Sequence, residues 1–207
     1  MPPVRILLCL SLGTALAAMP RPHLGFDVHL DTPLGDLKTD LGGKLGGGAS
    51  FQATFELSPA LSVRPRADLD FQRVSHHRIP GTHHQEDVTF DSVGVGADLL
   101  GTLSGSRERG LYWTAGAGIL RWFQSFNSSD YTSSTSSTSS DTKRNRLSPW
   151  GAVGLGYQVN HLIGLELRNV VSRYDSPKDV GLQAPFADVP SEARTASVLQ
   201  AGVTFRW

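Results

Sequence analysis

The sequence predicts an all-β chain, folded as an eight-stranded antiparallel up-and-down transmembrane β-barrel. Three observations lead there. The final segment alternates strictly and ends on an aromatic. The same alternation recurs along the whole chain. The connections between alternating segments are short and long by turns. In the final segment Leu199, Ala201, Val203, Phe205 and Trp207 share one face, and Gln200, Gly202, Thr204 and Arg206 share the other. Side chains reverse face at every residue of a strand, so one face of this segment is apolar and the other polar. A barrel strand in a bilayer needs that division, because one side meets lipid and the other a polar lumen.

The chain has 207 residues. Its start reads as a secretory leader: Arg5 supplies a positive end, 6–12 form an apolar run, and Ala15, Leu16 and Ala17 give a small-x-small cleavage pattern. The expected division is a signal peptide over 1–18 and an outer-membrane barrel over 19–207. The apolar run is too short to cross a bilayer as a helix. Cys9 is the one cysteine and lies in the leader, which leaves the exported part without a disulfide or a thiolate metal site. The 19 basic and 19 acidic residues cancel, and no strongly basic segment points to nucleic acid. The 22 glycines and the low charged fraction suit an all-β chain with many turns.

Strands are expected near 22–31, 44–57, 61–73, 87–99, 111–123, 147–159, 162–173 and 194–207, most of them long enough to cross a bilayer when tilted. In the second, Leu45, Ala49, Phe51, Ala53, Phe55 and Leu57 oppose Ser50, Gln52, Thr54 and Glu56. In the third, Leu61, Val63, Pro65, Ala67, Leu69 and Phe71 oppose Ser62, Arg64, Arg66, Asp68, Asp70 and Gln72. Pro65 cannot donate to a ladder, so a bulge or a barrel rim is expected there. In the seventh, Leu165 and Leu167 oppose Glu166 and Arg168. The fifth is ambiguous, since Tyr112 and Trp122 share one face and Trp113 and Phe123 the other. Placing Tyr112 and Trp122 outward sends Arg121 into the lumen, at the expense of turning Gly116 and Gly118 to lipid. Short turns are expected at 58–60 and 160–161, with 101–110 the longest of the short set. Long connections fall at 76–86, 125–146 and 174–193, and an intermediate one at 32–43. The Ser/Thr tract at 132–142 cannot bury a core and reads as a mobile outer loop.

Four groups of residues could carry function. The lumen faces are heavily charged: Asp27, His29 and Asp31 from the first strand, Arg64, Arg66, Asp68 and Asp70 from the third, and Glu56, Glu166, Arg168 and Arg206 from others. Charges so placed must be paired or wetted, and a barrel of about eight strands has room for side chains or one small ligand. The expectation is a plug of ion pairs, with a narrow water path as the alternative. His76, His77, His83 and His84 flank the Pro80-Gly81 turn signal, and imidazoles brought together by a hairpin could bind zinc or copper. Ser75 beside His76 is the nearest local trace of nucleophilic chemistry, but no Gly-x-Ser-x-Gly elbow accompanies it. The pairs Gly94/Gly96 and Gly116/Gly118 lie inside strand patterns without the following helix that a phosphate loop needs.

These features resemble the small outer-membrane β-barrel family that includes the OmpA transmembrane domain and OmpX-like and OmpW-like proteins. The resemblance rests on the leader, the alternating strands, the loop rhythm and Phe205-Arg206-Trp207. It implies residence in the bacterial outer membrane among lipid and lipopolysaccharide. A monomer is expected, with no cofactor and no nucleic-acid partner. It also implies that Val203, Phe205 and Trp207 form part of a signal read by the barrel-assembly machinery, with Trp207 standing where the family usually has Phe. A structural or surface-interaction role through the external loops is the leading expectation, with no enzymatic activity. The alternatives are a narrow pore or transporter, a lipid A-modifying enzyme, and a soluble lipocalin-type barrel, which needs an apolar interior and a polar exterior.

Overall fold

In a computed structural model, residues 22–78, 84–106, 108–133, 136–175 and 193–207 are described. They form one closed barrel in which each strand pairs with its sequence neighbours: β1 (His23–Leu34), β2 (Gly46–Ser58), β3 (Leu61–Arg78), β4 (His84–Gly105), β5 (Gly110–Ser133), β6 (Ser136–Gln158), β7 (Ile163–Asp175) and β8 (Ala193–Arg206). All pairs are antiparallel, and β1 closes on β8 with Phe26 opposite Phe205. Those rings stack at 4.7 Å on the outer side of the seam, with Trp207 tilted against Phe26 at 6.1 Å. The Trp207 amide donates to Leu24 O, so the terminal aromatic is held by the ladder itself.

The faces of β1, β2, β3, β7 and β8 follow the alternation. Outside, Phe51 is 67% exposed, and Val28, Leu30, Leu155 and Leu167 are exposed beside it around the wall. Inside, Asp27, Arg64, Arg66, Asp98 and Arg168 are buried. This polar interior and apolar exterior invert the lipocalin pattern and remove that alternative. Pro65 is the fifth residue of β3 and faces outward; the register shift between β2 and β3 falls at Glu56/Ser58, opposite Ser62 and Leu61, and not at Pro65 itself. The β3–β4 register runs unbroken through Pro65–Ala97, while the β2 ladder lacks pairs between Gln52↔Arg66 and Phe55↔Val63. The missing N–H is thus absorbed on the β2 side.

The register of β5 is the reverse of the expected one. Trp122 is 3% exposed and points inward, as does Tyr112, while Arg121 faces out with its guanidinium 5.4 Å from the Phe123 ring centre. The glycines explain the choice. A Cβ on Gly116 would collide with the Asp98 carboxylate, and one on Gly118 would lie 2.8 Å from the Trp150 ring. Both therefore face a crowded lumen, where only hydrogen fits.

Two further departures concern the end of the barrel remote from the termini. The connection 32–43 contains a short helix, α1 (Gly35–Asp40), entered through Gly35 at φ 57° and left through Gly42 and Gly43 at φ 58° and 71°. These left-handed conformations favour glycine and turn the chain sharply at both ends. The helix folds into the barrel mouth and buries Leu37 and Leu41 completely. The Ser/Thr tract, expected as a mobile loop, continues the β5–β6 ladder to Tyr131↔Ser137 and Ser133↔Ser136. Backbone pairing to an antiparallel neighbour needs no apolar side chain, and threonine is a good strand former. The expected long connection at 76–86 is likewise mostly strand.

Candidate functional site

Strand tilt and the inward parity of β1–β4, β7 and β8 bring the lumen charges to one level. Asp98 sits at their centre. Its Oδ2 accepts from Arg64 Nη2 at 2.7 Å and Arg66 Nη1 at 3.1 Å, and its Oδ1 accepts from Arg168 Nη2 at 3.1 Å. Arg64 donates a two-pronged pair to Glu166, Nη1 to Oε2 and Nη2 to Oε1, both at 2.8 Å. The Tyr112 hydroxyl donates to Glu166 Oε2 at 3.0 Å. Arg66 donates from Nε to Asp68 Oδ1 at 2.7 Å and from Nη2 to Asp27 Oδ2 at 3.3 Å, and the Ser50 hydroxyl donates to the same Asp27 oxygen. Charged, two-pronged bonds of this kind are strong because geometry and charge agree. The Arg168 guanidinium also lies 5.3 Å from the Trp150 ring centre.

Of the charged residues expected in the lumen, Asp27, Arg64, Arg66, Asp68, Glu166 and Arg168 meet in this network. Asp70 joins through His29. Glu56 does not: it stands half-exposed at the rim that bears the termini, 3.9 Å from His23. Arg206 lines a separate cavity of about 50 Å³ below Arg64, together with Tyr112 and Thr54. Asp98 was missed. Its signal lies in β4, where Val93, Val95, Ala97 and Leu99 alternate with Ser92, Gly94, Gly96 and Asp98.

Beside the network, His29 occupies a second cluster. Its Nδ1–H donates to Asp27 Oδ1 at 2.7 Å, and its Nε2 faces Asp70 Oδ1 at 2.9 Å and Asp31 Oδ1 at 3.7 Å. The Gln200 amide donates to Asp31 Oδ1 and Asp70 Oδ1 at 3.1 and 3.2 Å, and the Ser92 hydroxyl donates to Asp70 Oδ2 at 2.7 Å. Serine, histidine and aspartate are close here, but Ser50 and Ser92 both donate to carboxylates and not to the imidazole. A nucleophile with its base is therefore not assembled.

Above the charges the lumen turns apolar. Phe90 meets Trp122 edge-on at 6.2 Å and Tyr174 at 5.8 Å, and Leu37 of α1 and Leu41 just after it close over this cluster. The Trp122 indole N–H donates to Ser172 at 3.3 Å, and the Tyr174 hydroxyl donates to Asp40 at 2.6 Å, which ties the helix to the wall. Two lumen cavities among the described residues, of about 50 and 10 Å³, are separated by the arginine network.

The four-histidine group falls at the adjoining ends of β3 and β4. His76 and His77 lie on β3 and His84 at the start of β4, whereas His83 lies outside the described residues. Their side chains, and that of Ser75, are likewise outside it. Val203, Phe205 and Trp207 lie on the outer face of the closing strand or just beyond its end.

No protein-family model matches the sequence, and no curated protein matches it. Solved structures match in fold. Ail, the attachment invasion locus protein of Yersinia pestis, is 13% identical, with 90% of this chain and 98% of that chain covered and a TM-score of 0.51. Ail in complex with the heparin analogue sucrose octasulfate is 11% identical, with 90% and 98% covered and a TM-score of 0.50. Neisserial surface protein A is 14% identical, with 92% and 99% covered and a TM-score of 0.48. The likeness to Ail is one of fold: a small closed barrel of the outer-membrane type.

Proposed function

We propose that the chain is an integral barrel of a bacterial outer membrane, and that it acts at the cell surface through a sheet standing above the bilayer. One observation carries this reading. Strands β3 to β6 have 18, 22, 24 and 23 residues, whereas β1, β2, β7 and β8 have 12, 13, 13 and 14. The shorter strands suffice to cross the apolar band of a bilayer. The excess of the longer four lies at one end and reaches roughly 30 Å along the strand direction beyond the end of β7, at 3.3 Å per residue. Wall side chains at bilayer level are mostly apolar, and the outward Asn169 and Ser197 bond each other at 3.0 Å; water would disfavour such a surface and lipid accepts it.

The same reading has residues 1–18 as the export leader and 19–207 as the barrel, with the short turns in the periplasm. Val203, Phe205 and Trp207 then present the assembly signal, and the protein works as a monomer in lipid and lipopolysaccharide without a catalytic step.

Site-directed labelling tests the topology. Cys9 is the one native cysteine and leaves with the leader, so an introduced thiol reports alone. On intact cells, a membrane-impermeant maleimide should label Ser139→Cys and spare Asn160→Cys until the cells are opened. Equal labelling of both, or protein in the soluble fraction, would overturn the reading. Heparin, the class of polyanion whose analogue is bound in the Ail complex, is the first ligand to try on labelled cells.

The pore alternative is disfavoured by the lumen. Arg64 is 2% exposed and spans the axis to Asp98 and Glu166, and α1 closes the mouth above. In planar bilayers the purified protein should show no stable single-channel conductance. Discrete, reproducible openings would restore the pore.

A further inference from the structure

We propose that His29, Asp31 and Asp70 form a binding site for a first-row divalent cation such as zinc, inside the barrel at the boundary between its charged and apolar layers. The three residues each offer one donor atom, and these atoms lie within 4.8 Å of one another. Around a tetrahedral zinc with ligand bonds of about 2.0–2.2 Å, donor atoms stand about 3.3 Å apart. The His29 Nε2 separations of 2.9 Å to Asp70 and 3.7 Å to Asp31 bracket that edge.

Four independent features point to a cation. First, Asp31 is 0% exposed, yet its Oδ2 has no hydrogen-bond partner. A buried carboxylate oxygen without a donor is costly, and an ion held by both oxygens of Asp31 would offset that cost, Oδ1 being the oxygen that faces His29 and accepts from Gln200. Second, His29 is oriented as a metal ligand is: its Nδ1–H is held by the Asp27 carboxylate, and its Nε2 is directed at Asp70 and Asp31, with the Gln200 amide nitrogen 3.2 Å away; an entering ion would displace the Nε2 proton and that amide. Third, Gly48 stands over the cluster. A Cβ there would lie 2.5 Å from His29 Nε2 and 2.7 Å from Asp70 Oδ1, so the position keeps the space beside both donors clear. Fourth, the charges do not balance. Asp27, Asp31, Asp68, Asp70, Asp98 and Glu166 outnumber Arg64, Arg66, Arg168 and His29, and Asp31 and Asp70 meet the His29 imidazole and not an arginine. A divalent ion at Asp31 and Asp70 offsets the excess where it occurs. One imidazole with two carboxylates suits zinc or manganese, whereas calcium and magnesium take oxygen ligands.

The test uses the full chain, refolded in detergent, with His76, His77, His83 and His84 each changed to alanine so that the outer cluster cannot contribute. After chelator treatment and re-equilibration with zinc, the protein should retain one zinc per barrel through gel filtration. Asp31→Asn in the same background should bind at least about tenfold more weakly while keeping its heat-modifiable gel mobility. Zinc should also shift the ring ¹⁵N resonances of His29 and leave those of His23 and His161 in place, a readout that needs no Asp31 variant to fold. Absence of zinc above background, or zinc bound without any change at His29, would overturn the site and leave the cluster an internal ion pair. Neither result touches the topology tested by cysteine labelling.

Discussion

Asp98→Ala is expected to destabilise the barrel by about 3–5 kcal/mol, the usual result of removing one partner from a buried ion pair. The carboxylate accepts from Arg64, Arg66 and Arg168 together. Without it Arg64 keeps Glu166 and Arg66 keeps Asp68, but Arg168 loses its 3.1 Å bond while its Nε is already without a partner. Three guanidinium groups would then repel across a narrow lumen. Urea titration in lipid vesicles, followed by tryptophan emission, should show a lower midpoint at an unchanged slope. The double variant Asp98→Ala/Arg168→Met should recover part of the loss, because it removes the stranded charge along with its partner. A shift below about 1 kcal/mol for the single variant would mean that water already screens these charges as it screens surface pairs.

Trp122→Ala should cost a comparable amount, about 3–5 kcal/mol, as for other large-to-small changes in a packed core. The ring fills the space between Phe90 and the wall, and the indole N–H bond to Ser172 is lost with it. Trp113 faces the other way, and its replacement should cost much less. Quenching by brominated lipid separates the two directly. With Trp122 as the sole retained tryptophan, emission should be insensitive to the quencher; with Trp113 it should fall. The opposite result would return β5 to the register that turns Tyr112 and Trp122 outward.

The difficulty with β5 has a physical origin. Period-two alternation identifies the inside of a strand when lumen and lipid differ in polarity. They differ on β1, β3 and β7, where Asp27, Arg64 and Glu166 oppose leucine and valine, and there the faces could be read from the chain. On β5 both faces carry aromatics, because the upper lumen is itself apolar. The informative residues were Gly116 and Gly118, whose meaning depends on Asp98 and Trp150 lying opposite. Asp98 could have been read from the β4 alternation, but its central place could not.

The all-β class, the strand count and the inward charges of β1, β3, β7 and β8 are legible in the alternation, because side-chain direction along a strand is a local property. Which charges meet, how far β3 to β6 extend, and that α1 closes the mouth emerge only from the closed barrel. Arg64 finds Glu166 across 102 residues of chain, and Tyr174 finds Asp40 across 134. Such contacts follow from barrel closure and stagger, which every strand shares and no single segment encodes.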